Sequence, residues 1–357
     1  MYVYIYFPSK IKNYYFRTMI FFRQLLFPFA IFYGIITFLR NFLYDKGILK
    51  SYSFDIPILA VGNLSVGGTG KTPQIEYLIR LLSSNYKIAT LSRGYKRKSS
   101  GFILANTASN ALLLGDEPFQ MHQKFPQIQV AVDSNRKNGI EQLLNQSVKP
   151  EIILLDDAFQ HRKVKAGFYI LLTSYDDLYF KDYMLPTGNL REYRSGAKRA
   201  DMIIVTKCPK NLSELAQQVI KDTIGMDKPL FFTYIDYDDT VYSEEKSISV
   251  KELQSIDKLL LAGIAKPEPF FVYLQNKSDL VLKFPDHHHF SENEILEIKK
   301  KANNKPIITT EKDFVRLKDS ILKEQLYYLP IKSSFISDRE IFDKTILDYV
   351  GASTRNR

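Results

Sequence analysis

Residues 61–73 read "VGNLSVGGTGKTP", and how that stretch is read decides the fold. An apolar run, "DIPILAVGN" over 55–63, leads into it as a buried strand, and "TPQIEYLIRLLSSN" over 72–85 leaves it as a helix. A glycine-rich turn between a strand and a helix lets backbone N–H groups point inward around anionic oxygens. Only glycine accepts the dihedral angles and the close approach this requires. Gly67, Gly68 and Gly70 supply that freedom. Lys71 adds a positive charge for the β- and γ-phosphates of a nucleotide, Thr72 a hydroxyl ligand for Mg²⁺, and the following helix its N-terminal dipole. The spacing departs from G-x-x-x-x-G-K-[ST] at one place. Ser65 stands where the first glycine belongs, and Gly62, three residues earlier, cannot replace it.

Outward from the turn, short β-branched runs alternate with helical stretches. "YKIATLSRGY" (86–95) is a strand ending in a basic turn, and "IQVAVDSNRKNGIEQLLNQ" (128–146) is a strand followed by a helix. "PEIILLDDAFQHR" (150–162) is a strand closing in two carboxylates, and "FYILLTS" (168–174) and "ADMIIVTK" (200–207) are further buried strands. Apolar strands alternating with helices predict an α/β fold of the phosphate-loop NTPase kind, a parallel sheet with helices on both faces. The text loosens near 222–250. "KLLLAGIAKPEPFFVYLQ" (258–275), "HFSENEILEIKKKA" (289–302) and "PIITTEKDFVRL" (306–317) then predict a second, smaller α/β domain, with a capping box from Ser291 to Glu294. The expected organisation is an N-terminal arm over 1–50, a phosphate-loop domain over 51–235 and the smaller domain over 236–357.

The arm is apolar and aromatic: "MIFFRQLLFPFAIFYGIITFLRNFLYDKGILK" over 19–50. Its uninterrupted part, 24–39, is shorter than the roughly 20 residues a bilayer-crossing helix needs, and Pro28 and Gly34 weaken it as a regular span. A helix lying in the membrane interface fits it best, with a buried core helix and a true span as alternatives. The net charge of +10 points to an anionic partner: nucleic acid, an acidic lipid surface or a phosphorylated substrate. No basic patch with interleaved stacking aromatics supports nucleic acid. The single cysteine, Cys208, excludes an intramolecular disulfide and fits a reducing compartment.

Polar groups gather in turns after strands, where open α/β sheets bind ligands. Asp156 and Asp157 end a strand and are candidates to hold Mg²⁺ beside the phosphate loop. Arg93 follows a second strand, Asp116 and Glu117 open a helix, and Gln160, His161 and Arg162 follow the acid pair. Arg191 and Glu192 follow a Pro/Gly turn. "FPDHHHF" places Asp286 beside His287, His288 and His289; three adjacent imidazoles cannot all face one ion, so a base for a hydroxyl acceptor suits them better.

"GNLSVGGTGKTP", "SRGY", "GDEP", "DDAFQHR", "LPTGNLRE", "GIAKPEPF", "FPDHHHF" and "TEKDFVRL", in that order from about Phe16 to Leu317, resemble the tetraacyldisaccharide 4'-kinase family. That family carries Ser or Thr where Ser65 stands, so the departure in the loop is one of its marks. The resemblance implies a kinase that uses ATP and Mg²⁺ to phosphorylate the 4'-hydroxyl of a lipid A precursor at the cytoplasmic face of the bacterial inner membrane. It implies ATP contacts from Ser65, Val66, Gly67, Gly68, Thr69, Gly70, Lys71 and Thr72, with Arg191 and Glu192 beside the phosphates or sugar. Thr72, Asp156 and Asp157 would hold the metal, and Lys71, Asp116 and His287 would be catalytic, with His288 as second choice to His287. Ala158 stands where the family commonly has glycine. The implied partners are an acylated disaccharide phospholipid and the membrane surface, without nucleic acid and with no obligate protein partner evident. The alternative is a membrane-tethered NTP switch with no metabolite acceptor. "VTKC" loosely matches a base-reading motif, but lacks the Asp two residues after Lys207.

Overall fold

The computed structural model describes residues 23–355 except Met226; the first 22 residues of the expected arm lie outside the described residues. The described chain opens on an apolar helix, α1 (Phe27–Asp45). β1 (Ile58–Asn63) and α2 (Lys71–Leu82) flank the glycine-rich turn. Then come β2 (Ile88–Ser92), β3 (Ile103–Leu104), α3 (Ala111–Leu114), α4 (Asp116–Lys124), β4 (Gln129–Val132) and α5 (Arg136–Leu144). β5 (Ile152–Asp156), β6 (Phe168–Ser174), β7 (Met202–Thr206), α6 (Glu214–Ile224) and β8 (Leu230–Tyr237) follow. A smaller set comprises β9 (Thr240–Tyr242), β10 (Ser247–Ser249), α7 (Val250–Leu253), β11 (Leu259–Ala262), α8 (Glu268–Leu274) and β12 (Leu280–Lys283). It continues with α9 (Glu292–Ala302), β13 (Ile307–Thr310), α10 (Glu311–Leu317) and β14 (Leu326–Leu329). β15 (Ile331–Phe335) and α11 (Arg339–Arg355) end it.

Among the described residues, one sheet has the order β15-β8-β7-β6-β1-β5-β2-β4-β3. Its pairs are parallel except at the two edges, β15 with β8 and β3 with β4. Every residue of β1 is buried, and its side chains alternate between two cores. Leu59 and Val61 pack with Ile75, Leu78 and Leu82 of α2, whereas Ile58 and Ala60 pack with Ile140 and Leu143 of α5. Burial on both faces is why these strands read as continuous apolar runs. β1 lies between β5 and β6, so chain order reverses on either side of it, and the crevice beyond its carboxyl end is where such sheets take ligands.

The second sheet, β10-β9-β14-β13-β11-β12, is parallel from β14 to β12. The chain's end departs from the expected organisation. β15 and α11, read as part of the smaller domain, return to the larger sheet, where β15 pairs with β8 and Phe342, Ile346 and Val350 join the core beneath α2. Only Pro330 separates β14 from β15, so no change in composition marks the crossing.

α1 also differs from expectation. It is 19 residues long, long and apolar enough by composition to cross a membrane, yet Ala30 and Gly34 are its buried residues. Phe29, Phe32 (67% exposed), Ile36 and Leu39 face outward, which overturns the core-helix alternative. Gly34 permits close contact: a Cβ there would fall on the Tyr193 hydroxyl.

Candidate active site at the carboxyl edge of the large sheet

The turn after β1 is held open by its neighbours. Gly67 and Gly70 have φ of 108° and 79°, values only glycine adopts without strain. Val66 N–H donates to Asn189 O (2.8 Å), and Arg191 N–H to Leu64 O (2.7 Å), so the 183–191 turn forms one wall. Thr206 Oγ1 donates to Thr69 O (2.7 Å) and Lys207 Nζ to Gly68 O (2.5 Å), forming the other. Inside, Lys71 Nζ lies 3.4 Å from Asn63 Oδ1 and 3.6 Å from Asp157 Oδ1. Thr72 is half-buried at the helix start. Gly62 serves elsewhere: a Cβ on it would lie 2.7 Å from Phe159 Cβ and 2.8 Å from Phe159 N, so it lets the turn after β5 press against β1.

That turn carries the acid pair. Val61 is in register with Asp156, which places both carboxylates beside the glycine-rich turn. Asp157 adopts φ of 49° and takes two hydrogen bonds from Arg191, at 2.8 and 3.2 Å. Burial would raise the Asp157 carboxyl, but Lys71 and Arg191 prevail and hold it down at about 2. Asp156 is the opposite case. Burial, which outweighs Lys71, pushes it up to about 6, and its Oδ1 is buried without a partner. The buried Arg136 donates to Asp156 O (3.2 Å) and Asp133 O (2.5 Å), and burial pushes its guanidinium down to about 10.

A second cluster joins the two sheets. α4 begins at Gly115, whose φ of 92° caps it, so Asp116 is its first residue and its carboxylate is free for other work. Arg316 of α10 grips Asp116 Oδ2 through Nε (3.2 Å) and Nη2. His287 Nδ1 lies 3.5 Å from the same oxygen, and among the described residues Oδ1 takes no hydrogen bond. Lys312 Nζ lies 2.7 Å from His287 Nε2 and Arg316 Nη2 lies 3.2 Å from Nδ1, so a cationic donor faces each ring nitrogen. Burial, then Lys312, lowers the imidazole below the ordinary histidine value, against the pull of Glu117 and Asp286. Burial would raise Asp116, but Arg316, Lys312 and His287 hold it below the usual carboxylate range. The charge of Glu117 is felt at Asp156, which places the two clusters near one another.

Comparison with known proteins follows this geometry. The model of the family "Tetraacyldisaccharide-1-P 4'-kinase" matches residues 22–351. The tetraacyldisaccharide 4'-kinase of Flavobacterium johnsoniae is 68% identical, with 92% of this chain and 97% of that one covered. The protein of the same name from Phocaeicola vulgatus is 46% identical, with 93% and 96% covered. A crystal structure of LpxK from Aquifex aeolicus in complex with ATP superposes with a TM-score of 0.75 at 30% identity, covering 92% of this chain and 99% of that one. The chain belongs to the tetraacyldisaccharide-1-P 4'-kinase family. It is a kinase, and the alternative of a nucleotide switch without an acceptor falls away.

Within this kinase, the three histidines take different places. His287 meets Asp116, whereas His288 bonds Glu294 (3.0 Å) and stacks on Phe284, and His289 is exposed. Arg191 reaches the end of β1, just before the glycine-rich turn, bonding Asn63 O (3.1 Å) and Asn63 Oδ1. Glu192 does not. It is buried with both oxygens taken by Arg199, Gln160 and Asn41, tying α1 to the sheet edge. Asn63, Arg136, Lys312 and Arg316 are given no role by the sequence, and Lys207 only one in a base-reading motif. Lys312 and Arg316 stand inside "TEKDFVRL", where Thr310 caps α10 through Asp313 N–H (3.2 Å), and that local cap accounts for the motif without pointing across to Asp116.

Behind the cleft, Lys124 at the end of α4 joins three helices. Its Nζ lies 2.8 Å from Glu76 of α2 and 2.5 Å from Glu311 of α10, and both carboxylates are buried. The helix after the glycine-rich turn, the helix headed by Asp116 and the helix carrying Lys312 and Arg316 thus share one ion network.

Proposed function

We propose that this chain transfers the γ-phosphoryl group of ATP to the 4'-hydroxyl of a tetraacyldisaccharide 1-phosphate, a lipid A precursor, at the cytoplasmic face of the bacterial inner membrane. The observation that carries the reading is how α1 is attached. Arg23, before its start, donates to Gly188 O (2.8 Å), and Arg162 reaches Asp45 at its end (2.6 Å). Both ends are fastened to the sheet edge onto which the glycine-rich turn opens. A helix fastened at both ends lies along the surface rather than leaving it, and its outward phenylalanines, isoleucines and leucines suit the boundary of headgroups and acyl chains. An apolar cavity of about 620 Å³ between α1 and the 182–195 segment, lined by Ile35, Phe38, Met184 and Tyr193, offers room for an acyl chain.

In this reading Ser65 to Thr72 cradle the ATP phosphates with their N–H groups, and Lys71 and Arg191 face the β- and γ-oxygens. The donors fit Mg²⁺, which is usually held by one or two carboxylates with phosphates and water completing its octahedron. Thr72, Asp156 and Asp157 would hold it; the unpartnered, buried Asp156 Oδ1 is the clearest vacant donor. When bound, such a cation offsets the phosphate charge. As the acceptor oxygen bonds to the γ-phosphorus and the bridge to ADP breaks, the hydroxyl proton passes to Asp116 Oδ1. His287, 3.5 Å from that carboxylate, takes up the charge change, while Arg316 holds the carboxylate in place. Little proton transfer is needed early, because the transition state of phosphoryl transfer is loose.

The test is mass-spectrometric detection of phosphate gain when purified chain, MgATP and tetraacyldisaccharide 1-phosphate are mixed. Transfer to the 4' position, lost in Lys71→Ala and reduced about 10²- to 10³-fold in Asp116→Asn, is the expected result. No transfer by the unaltered chain, or full activity in both variants, overturns the reading.

A further inference from the structure

The loop after β2 is strongly basic, and the cleft chemistry makes no use of most of it. "SRGYKRKSSG" places Arg93, Lys96, Arg97 and Lys98 within six residues. Arg97 is turned inward, donating to Gly101 O (2.7 Å), while Arg93, Lys96 and Lys98 are exposed and, among the described residues, make no ion pair. Three cations left unpaired leave a strong positive field for a partner of opposite sign. A polar hollow of about 370 Å³ lies between Arg93, Lys96, Arg97, Ser99 and Ser134, room enough for a phosphodiester headgroup.

Beside these cations is a greasy tip. Lys98 N–H donates to Leu112 O (2.8 Å) and Ser99 Oγ to Leu113 O (2.6 Å), which fastens the loop to α3. Leu112 and Leu113 are 53% and 39% exposed, and Tyr95 is 60% exposed. Apolar side chains surrounded by lysine and arginine are the composition of a surface that lies on an anionic bilayer. The attachment is rigid: Gly115 sits so close to the loop that a Cβ on it would lie 2.9 Å from Tyr95 O.

The loop also faces the right way. β2 pairs with β5, so the loop after β2 starts one strand spacing, about 4.8 Å, from the loop after β5. The β5 loop is the one on which the end of α1 rests, Arg40 donating to Gln160 O (3.1 Å) and Arg162 to Asn41 O (2.8 Å). Burial, then Arg136, pushes His161 down to about 4, and the charges of Arg40 and Arg93 add to this.

We propose that the basic loop 93–101 and the tip of α3 form a second membrane contact, in which Lys96, Lys98 and Arg93 bind the phosphates of an anionic bilayer while Leu112 and Leu113 enter its surface. The inference rests on the reading of α1 as an interface helix. It adds that docking has two points and that the second is one residue pair away from Asp116, so the acid is set at the lipid surface by the loop rather than by α1 alone.

Co-sedimentation of the full chain with phosphatidylcholine vesicles, and with equimolar phosphatidylcholine and phosphatidylglycerol, tests it. Lys96→Gln/Lys98→Gln should lower partition onto the anionic vesicles about 30-fold, at about 1 kcal/mol per cation near the surface, and leave partition onto neutral vesicles unchanged. Leu112→Ser/Leu113→Ser should lower both. Phe29→Ser/Phe32→Ser reports on α1 separately, and failure of that variant alone to release the protein counts against the helix reading, not the loop. Circular dichroism checks that each variant is folded. If the lysine variant keeps its preference for anionic vesicles, the proposal is overturned. It is also overturned if that variant binds vesicles normally but loses activity on detergent-dispersed substrate, since the lysines would then serve the substrate and not the bilayer.

Discussion

Replacing Lys124 with methionine should loosen the joint behind the cleft in a way that pH reveals. Lys124 Nζ sits 2.8 Å from Glu76 and 2.5 Å from Glu311, and Arg80 reaches only Glu76, at 2.9 Å. Removing one member of a buried ion network leaves the others uncompensated, a cost of about 3–5 kcal/mol. The Lys124 side chain keeps 22% of its exposure, so the expected loss lies at the low end, about 3 kcal/mol. At roughly 2 °C per kcal/mol for a chain of this size, Tm should fall by about 6 °C. Burial, then Glu76, already holds the Glu311 carboxyl above the ordinary glutamate value, and loss of the ammonium raises it further. A carboxyl with a raised folded pKa contributes its full stability below the unfolded value, and that contribution is lost as pH rises through the folded one. The deficit should therefore be small near about pH 5 and widen towards about pH 8. Differential scanning fluorimetry across that range reads it, and Glu311→Gln in the methionine background should recover part of the loss. A deficit under about 1 kcal/mol that does not change with pH would refute the reasoning, because it would mean that both carboxylates are already solvated.

Further outcomes follow from the site. Gly62→Ala must displace the Phe159 backbone, so it should cost about 1–3 kcal/mol in chemical denaturation and lower kinase turnover, because the displaced turn carries Asp156 and Asp157. His287→Ala should reduce kcat with little change in Tm, whereas His288→Ala, which removes a Glu294 bond and a Phe284 stack, should lower Tm and leave kcat nearly intact. Lys312→Met removes the cation that helps keep His287 neutral, so the imidazole should protonate more readily and the acid limb of the kcat profile should move to higher pH. In the smaller sheet, Lys258 and Asp279 form a fully buried pair at 2.8 Å, and Lys258→Met should cost about 3–5 kcal/mol by denaturant titration.

Much of the site was written locally. The strand, glycine turn and helix around Lys71 and the strand ending in Asp156 and Asp157 are read from adjacent residues, because apolar runs and glycines report the backbone they build. What could not be read there depends on which strands become neighbours. Asp116 and His287 look like a helix start and a histidine tract until α10 brings Arg316 and Lys312 between them. Glu192 lies next to Arg191 in sequence, and along that short turn their side chains part, one to the end of β1 beside the glycine-rich turn and one to α1. The return of β15 was hidden for a simpler reason: a single proline carries the chain from one sheet to the other, and a crossing that short leaves no linker to recognise. The exposure of α1 depends on what its apolar face meets, and a periodic pattern cannot state that.

Gly34 gives the membrane reading a dimension. With the Tyr193 hydroxyl seated where a Cβ would stand, α1 packs directly on the body of the protein, and bonds at both of its ends fix its level there. The distance from the lipid plane to Lys71 is then a built-in length, as on a depth gauge. On the proposed interface reading, such an enzyme would select its acceptor by level as well as by shape: a hydroxyl held deeper or shallower in the membrane than that length would fall outside its reach, however well the sugar around it fits.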